Sequence, residues 1–467
     1  MGETLNKKKG FQMPHVLVIL FCIMILVTLM SKLIPSGAFE VTETGAINPD
    51  NFQFTEQANP IGFQDFFSAI HAGFVSGATI MGSLLLCSGA LGILNHTRAL
   101  EAGVQKLNQI THGKSMIALI IFYIYFAGMN VLGLGEGAYP FFPIVTALVV
   151  SMGYDRLTAA GVMMYAATAG FACGAVNMFT TGISQQIVGL PMFSGIGYRF
   201  VVFAVLFVIG LVSIIRYANR IKKDPNKSYM AEEYKKSLAE HSASDADSES
   251  SLPFTWREAV SLLLFLVLIF WTAYGCLKLG FGLGQFAAYY ICYSIILAVI
   301  YRISPNQYCQ IYGKGASQVL VAALAIGMAQ SVMVLLKQGQ IMDTLVYYMG
   351  NALDGKSALI TLLLIYLFVT AFNFLVVSGS GKAVMMMPIM SPLGKMLGIN
   401  QQVMVLTYQL GDGLTNMLWP GGALVCCSLI GINYGDWIKM AWKTFLTMIV
   451  CGYVLICIAN GIGYGPF

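Results

Sequence analysis

GAVNMFTTG at residues 174–182 returns as GLTNMLWPG at residues 413–421, the two sharing the first Gly, the Asn, the Met and the last Gly. Each stretch interrupts an apolar run long enough to cross a bilayer, about 157–189 and 402–430. Working outward, the same landmarks precede both in the same order. Gly113-Lys114-Ser115 and Gly355-Lys356-Ser357 open an apolar run that ends near Asn130 and Asn373. A Gly-x-Gly follows, Gly135-Glu136-Gly137 and Gly379-Ser380-Gly381, and then Pro143-Ile144 and Pro388-Ile389. Further upstream, LNHTRALEAGVQKLNQITHGKS (94–115) answers LKQGQIMDTLVYYMGNALDGKS (336–357), with Glu101 and Asp343 in register. Four landmarks in one order identify an internal repeat.

The medium in which the repeat works follows from composition. Of 467 residues, 57% are hydrophobic and 10% are charged, with a mean hydropathy of +0.73. A soluble domain carries about 25% charged residues. Uninterrupted spans are expected at 15–35, 74–95, 197–218, 257–279, 286–303, 316–336 and 441–463. The run after Lys7-Lys8-Lys9 is too long for a signal-peptide core and reads as an uncleaved first span. The basic residues gather at that N-terminus and in the stretch from Arg216 to Arg257, whereas 37–64 has neither Lys nor Arg. The positive-inside rule therefore puts the N-terminus and the central linker in the cytoplasm, and 37–64 and the C-terminus outside. The net charge of +5 reports orientation and does not suggest nucleic acid. Eight of the ten cysteines lie inside apolar runs and the five histidines are scattered, so neither a disulfide framework nor a metal cluster is expected.

Each repeat holds three crossings and a hairpin, and two spans separate them, which leaves the second copy upside down. Inverted repeats are a common plan of secondary transporters, with the site at the repeat interface near the midplane. The expected fold is an all-α polytopic membrane protein. It comprises an N-terminal span and outer segment (1–73), repeat 1 (74–218; hairpin 115–152, broken helix 157–189), and a cytoplasmic linker (219–256) whose Ser/Asp-rich part (242–251) reads as a solvated, flexible joint. Two connecting spans (257–315) and repeat 2 (316–467; hairpin 357–394, broken helix 402–430) complete it.

Two motifs mislead. GNALDGKS (350–357) fits a phosphate loop but precedes a membrane segment, and its counterpart NQITHGKS lacks the first Gly. GLGEGA (133–138) imitates a dinucleotide fingerprint between apolar helices. An intramembrane enzyme would need a nucleophile–base or metal constellation, and Gly379-Ser380-Gly381 is too short for a nucleophile elbow.

The candidate site residues are those that interrupt the crossings. Irregular backbone at membrane depth must be buried in protein or line a cavity. At the hairpin tips these are Asn130, Gly135, Glu136 and Gly137, and Ser378, Gly379, Ser380, Gly381 and Lys382. Glycine lets backbone approach a ligand, and a following helix start offers N–H groups to an anion. At the breaks they are Asn177, Thr180 and Thr181, and Asp412, Thr415 and Asn416. Asn177 and Asn416, with adjacent carbonyls, would suit sodium, because neutral oxygens do not titrate. The competing reading has Asn and Thr bonding between helices, with Asp412 paired to Lys382.

IPSGAFE (34–40), GLGEG with FFPI (141–144), SGSGKAVMMMPIMSPLG (378–394) and YQLGDGLTNMLWP (408–420) resemble the YfcC family of anaerobic four-carbon dicarboxylate carrier-like proteins. That family includes arginine/ornithine exchanger-like members and lies in the wider ion transporter superfamily. The resemblance covers nearly the whole chain. It implies paired re-entrant hairpins, two discontinuous helices, an elevator-like transport domain and a homodimer in the cell inner membrane. Exchanger-like members tend to carry a second acid where Gly137 stands, and a neutral residue where Lys382 stands. One acid lost and one base gained disfavours a cationic substrate. A zwitterionic amino acid held by Glu136 and Lys382, or a four-carbon dicarboxylate, are the competing choices. A passive channel is the alternative outside this class.

Overall fold

The computed structural model describes residues 14–41, 47–55, 61–100, 102–103, 106, 115–133, 135–247, 254–275, 279, 281, 283–353, 355–376 and 378–465. An apolar 18-residue run after His15 makes α1 (Val16–Leu33). The Pro35-Ser36-Gly37 turn ends it, and the chain enters an antiparallel hairpin, β1 (Gly37–Val41) with β2 (Ile47–Phe54). The expectation of an all-α chain is corrected here: apolar-polar alternation in GAFEV and NFQF favours strand, and screening the segment for membrane spans passes over so short a signal. α2 (Phe63–His96) begins well before the span expected at 74, because Gly62 and Asp65 cap it early. Next come α3 (Ser115–Val131), a 3₁₀ turn (Glu136–Phe141) and α4 (Phe142–Ser151).

α5 (Arg156–Cys173) stops at left-handed Gly174, and a π turn (Met178–Gly182) leads into α6 (Ile183–Ile187) and α7 (Ile196–Lys223). The linker contains α8 (Ala231–Asp247), and of the Ser/Asp-rich joint expected at 242–251, residues 248–251 lie outside the described residues. Glu232 and Glu233 favour its N-terminus, and the segment is tied down: Glu233 pairs with Arg156 at 3.3 Å and Tyr234 donates to Gly153 O at 2.9 Å. Asp155 gathers the same corner, accepting from Thr158 N (2.8 Å), Tyr217 Oη (2.6 Å) and Ser228 Oγ (2.6 Å).

The remainder is α9 (Trp256–Tyr274), α10 (Leu283–Ile300), α11 (Pro305–Ser317), α12 (Leu320–Gln338), α13 (Met342–Leu353), α14 (Ala358–Phe372), α15 (Gly379–Met396), α16 (Gln401–Thr415), α17 (Pro420–Ile430) and α18 (Tyr434–Gly461). α11 was not anticipated; Ser304 caps it and Pro305 takes its first position, the usual start signal. Among the described residues, seven helical segments are long and apolar enough to cross a membrane. Large apolar side chains such as Leu33, Val75, Phe270 and Val299 stand exposed on the outer helices, as lipid-facing residues would.

The helices sort into two packed groups. α2 and α12 lie against each other, with α1 on α12 and α10 and α11 on α2. Close approach there needs glycine: a Cβ on Gly92 would stand 2.9 Å from the Gly315 Cα. The second group centres on α5 and α16, which pack on each other with 15 and 14 residues buried, enough that no face of either meets solvent or lipid. α3 and α7 lie against α5, while α14 and α18 lie against α16. The shorter arms cross over: α4 touches both α5 and α17, and α15 touches both α16 and α6.

The hairpin and the IPSG turn connect distant parts of the chain. Ser36 Oγ donates to Gly339 O (3.0 Å), Gly37 N to Gln340 O (3.1 Å) and Thr344 Oγ1 to Pro35 O (2.9 Å). Phe52 stacks on Tyr347 with centroids 4.1 Å apart. Phe39 N donates to Asp343 Oδ2 at 3.3 Å, while burial holds that carboxyl above the ordinary carboxylate range.

Candidate functional site

The Gly-rich tips are built differently. α3 ends with Asn130, whose Nδ2 donates back to Phe126 O at 2.9 Å, so its Oδ1 turns toward Gly135. Gly133 then reverses the chain at φ 77, a conformation glycine adopts without strain. At the other tip, Ser378 caps α15 by accepting from Gly381 N at 3.2 Å. Gly379 is held from two sides: Tyr408 Oη donates to its carbonyl, and a Cβ there would lie 2.7 Å from Thr180 Cγ2.

Both breaks free backbone groups that need partners. At the first, Gln409 reaches across from α16, donating to Phe171 O (2.7 Å) and accepting from Thr181 Oγ1 (3.1 Å). Asn177 Oδ1 accepts from Thr180 N at 3.3 Å, and the fully buried Arg199 approaches Cys173 O at 3.5 Å. At the second, Trp437 Nε1 donates to Met417 O (2.9 Å) and Tyr434 Oη to Leu418 O, while Trp419 of the break itself anchors to α14 by donating through Nε1 to Thr370 O (2.6 Å). Behind that break Lys382, fully buried, pairs with Asp412 Oδ1 and donates to Asn373 Oδ1. Asn373 Nδ2 in turn reaches Asp412 O (2.9 Å), Thr415 Oγ1 (2.6 Å) and Asn416 Oδ1 (2.9 Å).

Tips and breaks meet at one cavity of about 630 Å³. Seven of the fifteen candidates line it: Asn130, Gly135, Thr180, Ser378, Gly379, Ser380 and Asn416. Thr79 of α2 and Gln330 of α12 face them from the other helix group, with Phe142, Phe171 and Phe286 supplying apolar wall. Asn177, Thr181, Gly381, Lys382, Asp412 and Thr415 stand behind the lining. The side chains of Glu136 and Gly137 lie outside the described residues. The competing reading of Lys382 and Asp412 as partners matches their geometry. Two residues absent from the candidates prove central, Asn373 and Gln409. Asn373 had a signal, since it corresponds to Asn130 in the repeat. Gln409 had none, as its partners lie 228 and 238 residues away. Among the described residues no group of His, Cys, Asp and Glu is arranged to hold a metal.

The C4-dicarboxylate anaerobic carrier family matches residues 13–461. Among curated relatives, YfcC of Escherichia coli (strain K12), a protein proposed to be a basic amino acid antiporter, is 28% identical over 98% of each chain. An uncharacterized protein of Haemophilus influenzae is 26% identical over 98% of each. Two solved structures are distant likenesses, both at 15% identity, a TM-score of 0.44 and 97% of this chain. They are Neisseria gonorrhoeae MtrF, described with a class of antimetabolite efflux pumps (96% of that chain), and the Alcanivorax borkumensis YdaH transporter (100%).

Proposed function

The chain belongs to the C4-dicarboxylate anaerobic carrier (DcuC) family of membrane transporters, and from that premise we propose that it is a secondary transporter of a small carboxylate-bearing solute, an amino acid or a four-carbon dicarboxylate. The observation that carries this reading is the convergence of both Gly-rich tips and both broken crossings on one cavity between two groups of helices. The size suits a small solute, and the described lining side chains are neutral, a mixture of amide, hydroxyl and aromatic groups. The start of α15, with Gly379 and Ser380 at the wall, presents helix N–H groups to a carboxylate. Glu136 would meet an amino group if the solute has one.

The crossed packing of α4 on α17 and α15 on α6 supports two inverted repeats. α1 on α12 and α10 on α2 repeat the same relation, which extends each unit by one helix at its start. With Thr79 and Gln330 on one helix group and the tips on the other, we propose elevator-like alternating access, the second group moving along α2 and α12. A mobile coupling cation, sodium first, would bind near Asn177 of the first half. The working form would be a homodimer in the inner membrane, with the N-terminus cytoplasmic and the C-terminus outside.

The test is counterflow in proteoliposomes preloaded with neutral amino acids, with arginine or ornithine, or with succinate or fumarate, each with and without sodium. Saturable exchange of one class is expected. Flux without counterflow identifies a channel, and no flux from folded protein overturns the reading.

A further inference from the structure

The two breaks differ in one respect that bears on ion use. Aligning the repeats at Gly135 and Gly379 sets Ala138 against Lys382, and aligning them at Asn177 and Asn416 sets Cys173 against Asp412. Only the second half therefore carries an ammonium and a carboxylate at this place. Lys382 Nζ sits among oxygens, Asp412 Oδ1 and Asn373 Oδ1, at zero exposure. An amide oxygen and a carboxylate at the break of a helix are the ligands a hard monovalent cation takes.

The carbonyls beside the break already accept hydrogen bonds, Met417 O and Leu418 O one side-chain donor each, which leaves each a second lone pair. Met417 O is held by Trp437, Leu418 O by Tyr434, and Asp412 O by Asn373 and Thr415. Asp412 Oδ2 has no hydrogen-bond partner and is buried, so the carboxylate relies on the ammonium for its compensation. The whole cluster stands directly behind the tip, since a Cβ on Gly379 would lie 3.1 Å from Asp412 Oδ2. The first half has no equivalent: Asn130 bonds within its own helix, and Arg199 reaches the Cys173 carbonyl without a carboxylate partner among the described contacts.

We propose that the Lys382 ammonium is a tethered cation: it permanently fills the cation position of the second half, so that this half binds no mobile ion, and its removal turns the position into a sodium site. The consequence for coupling, at most the first-half ion per cycle, rests on the transport reading. The binding claim does not, and its test involves no transport.

Full-length protein purified in detergent is melted in sodium chloride and in choline chloride at equal ionic strength. Lys382→Ala is expected to melt below wild type in choline and to gain about 2–4 °C more than wild type does as sodium saturates. Lys382→Ala with Asp412→Asn should lose that extra gain, because the carboxylate is the ligand exposed. A sodium shift in Lys382→Ala no larger than in wild type overturns the proposal, as does a shift that survives Asp412→Asn. If Lys382→Ala does not fold, Lys382→Gln, which keeps volume without charge, must show the same sodium gain and the same loss with Asp412→Asn, and the proposal fails if it does not. A failed counterflow experiment leaves this result standing, and a failed sodium response leaves the transport reading standing.

Discussion

Around Asn177 the chain closes its break with Gln409 from the opposite half and the buried Arg199 of its own. Around Asn416 it uses a lysine–aspartate pair, an asparagine hub and two aromatic donors, Trp437 and Tyr434. The landmarks correspond, yet the bonding does not. A repeat thus preserves where the backbone opens, which glycine and the helix ends dictate, while the groups that satisfy the opening are free to diverge. Both openings reach the cavity, the first through Thr180 beside Asn130 and the second through Asn416, Met417 and Gly422 beside the tip residues. What differs is the layer behind the wall, which in the second half is the Lys382–Asp412–Asn373 cluster.

The sharpest way to break this comparison is to truncate the two matching asparagines. Asn373→Ala removes one acceptor and one donor that together serve four groups and leaves the buried pair less compensated, so a loss of about 3–5 kcal/mol is expected. Asn130→Ala should cost about 1 kcal/mol or less while weakening solute affinity. Unfolding midpoints and counterflow together decide it, and equal losses would erase the distinction between the two halves.

A smaller contrast lies in the caps. Gln409→Leu strands Phe171 O and Thr181 Oγ1, for about 2–3 kcal/mol, against about 1 kcal/mol for Trp437→Phe, which strands Met417 O alone but keeps most of its packing. The same melting series measures both. At the helix starts, Asp155→Ala should cost about 2 kcal/mol, because it holds α5, α7 and the linker together, and Asn400→Ala about 1 kcal/mol as a simple cap of α16. Limited proteolysis within α8 should rise in the first variant only.

The smallest effect is expected at the outer hairpin. Burial raises the Asp343 carboxyl, so its ionisation at neutral pH opposes folding; the wild-type contribution is full below the ordinary carboxylate range and falls as pH rises through the raised value. Asp343→Asn keeps an acceptor for Phe39 N and should stabilise by up to about 1 kcal/mol at neutral pH, the gain vanishing in acid. A gain that persists in acid would locate its cause elsewhere.

The sequence displayed what backbone chemistry writes locally. The apolar runs, the Gly-x-Gly tips and the Asn-bearing breaks all appear where runs of composition change. It hid what depends on a second segment. Trp437, Tyr434 and Gln409 sit in ordinary-looking helices, and nothing near them says that they cap a carbonyl elsewhere. Lys382 illustrates the middle case: its presence after SGSG was conspicuous, but whether it faced a solute or Asp412 turned on packing of α15 against α16. The hairpin β1–β2 and the helices α8 and α11 are illegible for a different reason: they are short or polar, and their apolar periodicity is too weak to stand out.

The IPSG turn has a further consequence for biogenesis. Its partners, Gly339, Gln340 and Thr344, are made about 300 residues later. At about 5–20 residues per second, translation leaves the finished strand pair waiting roughly 15–60 s for the surface on which it docks. During that interval its edges are open to neighbouring chains. A nascent chain arrested before Thr344 should therefore show the β1–β2 hairpin accessible to protease, and one arrested well beyond it should not.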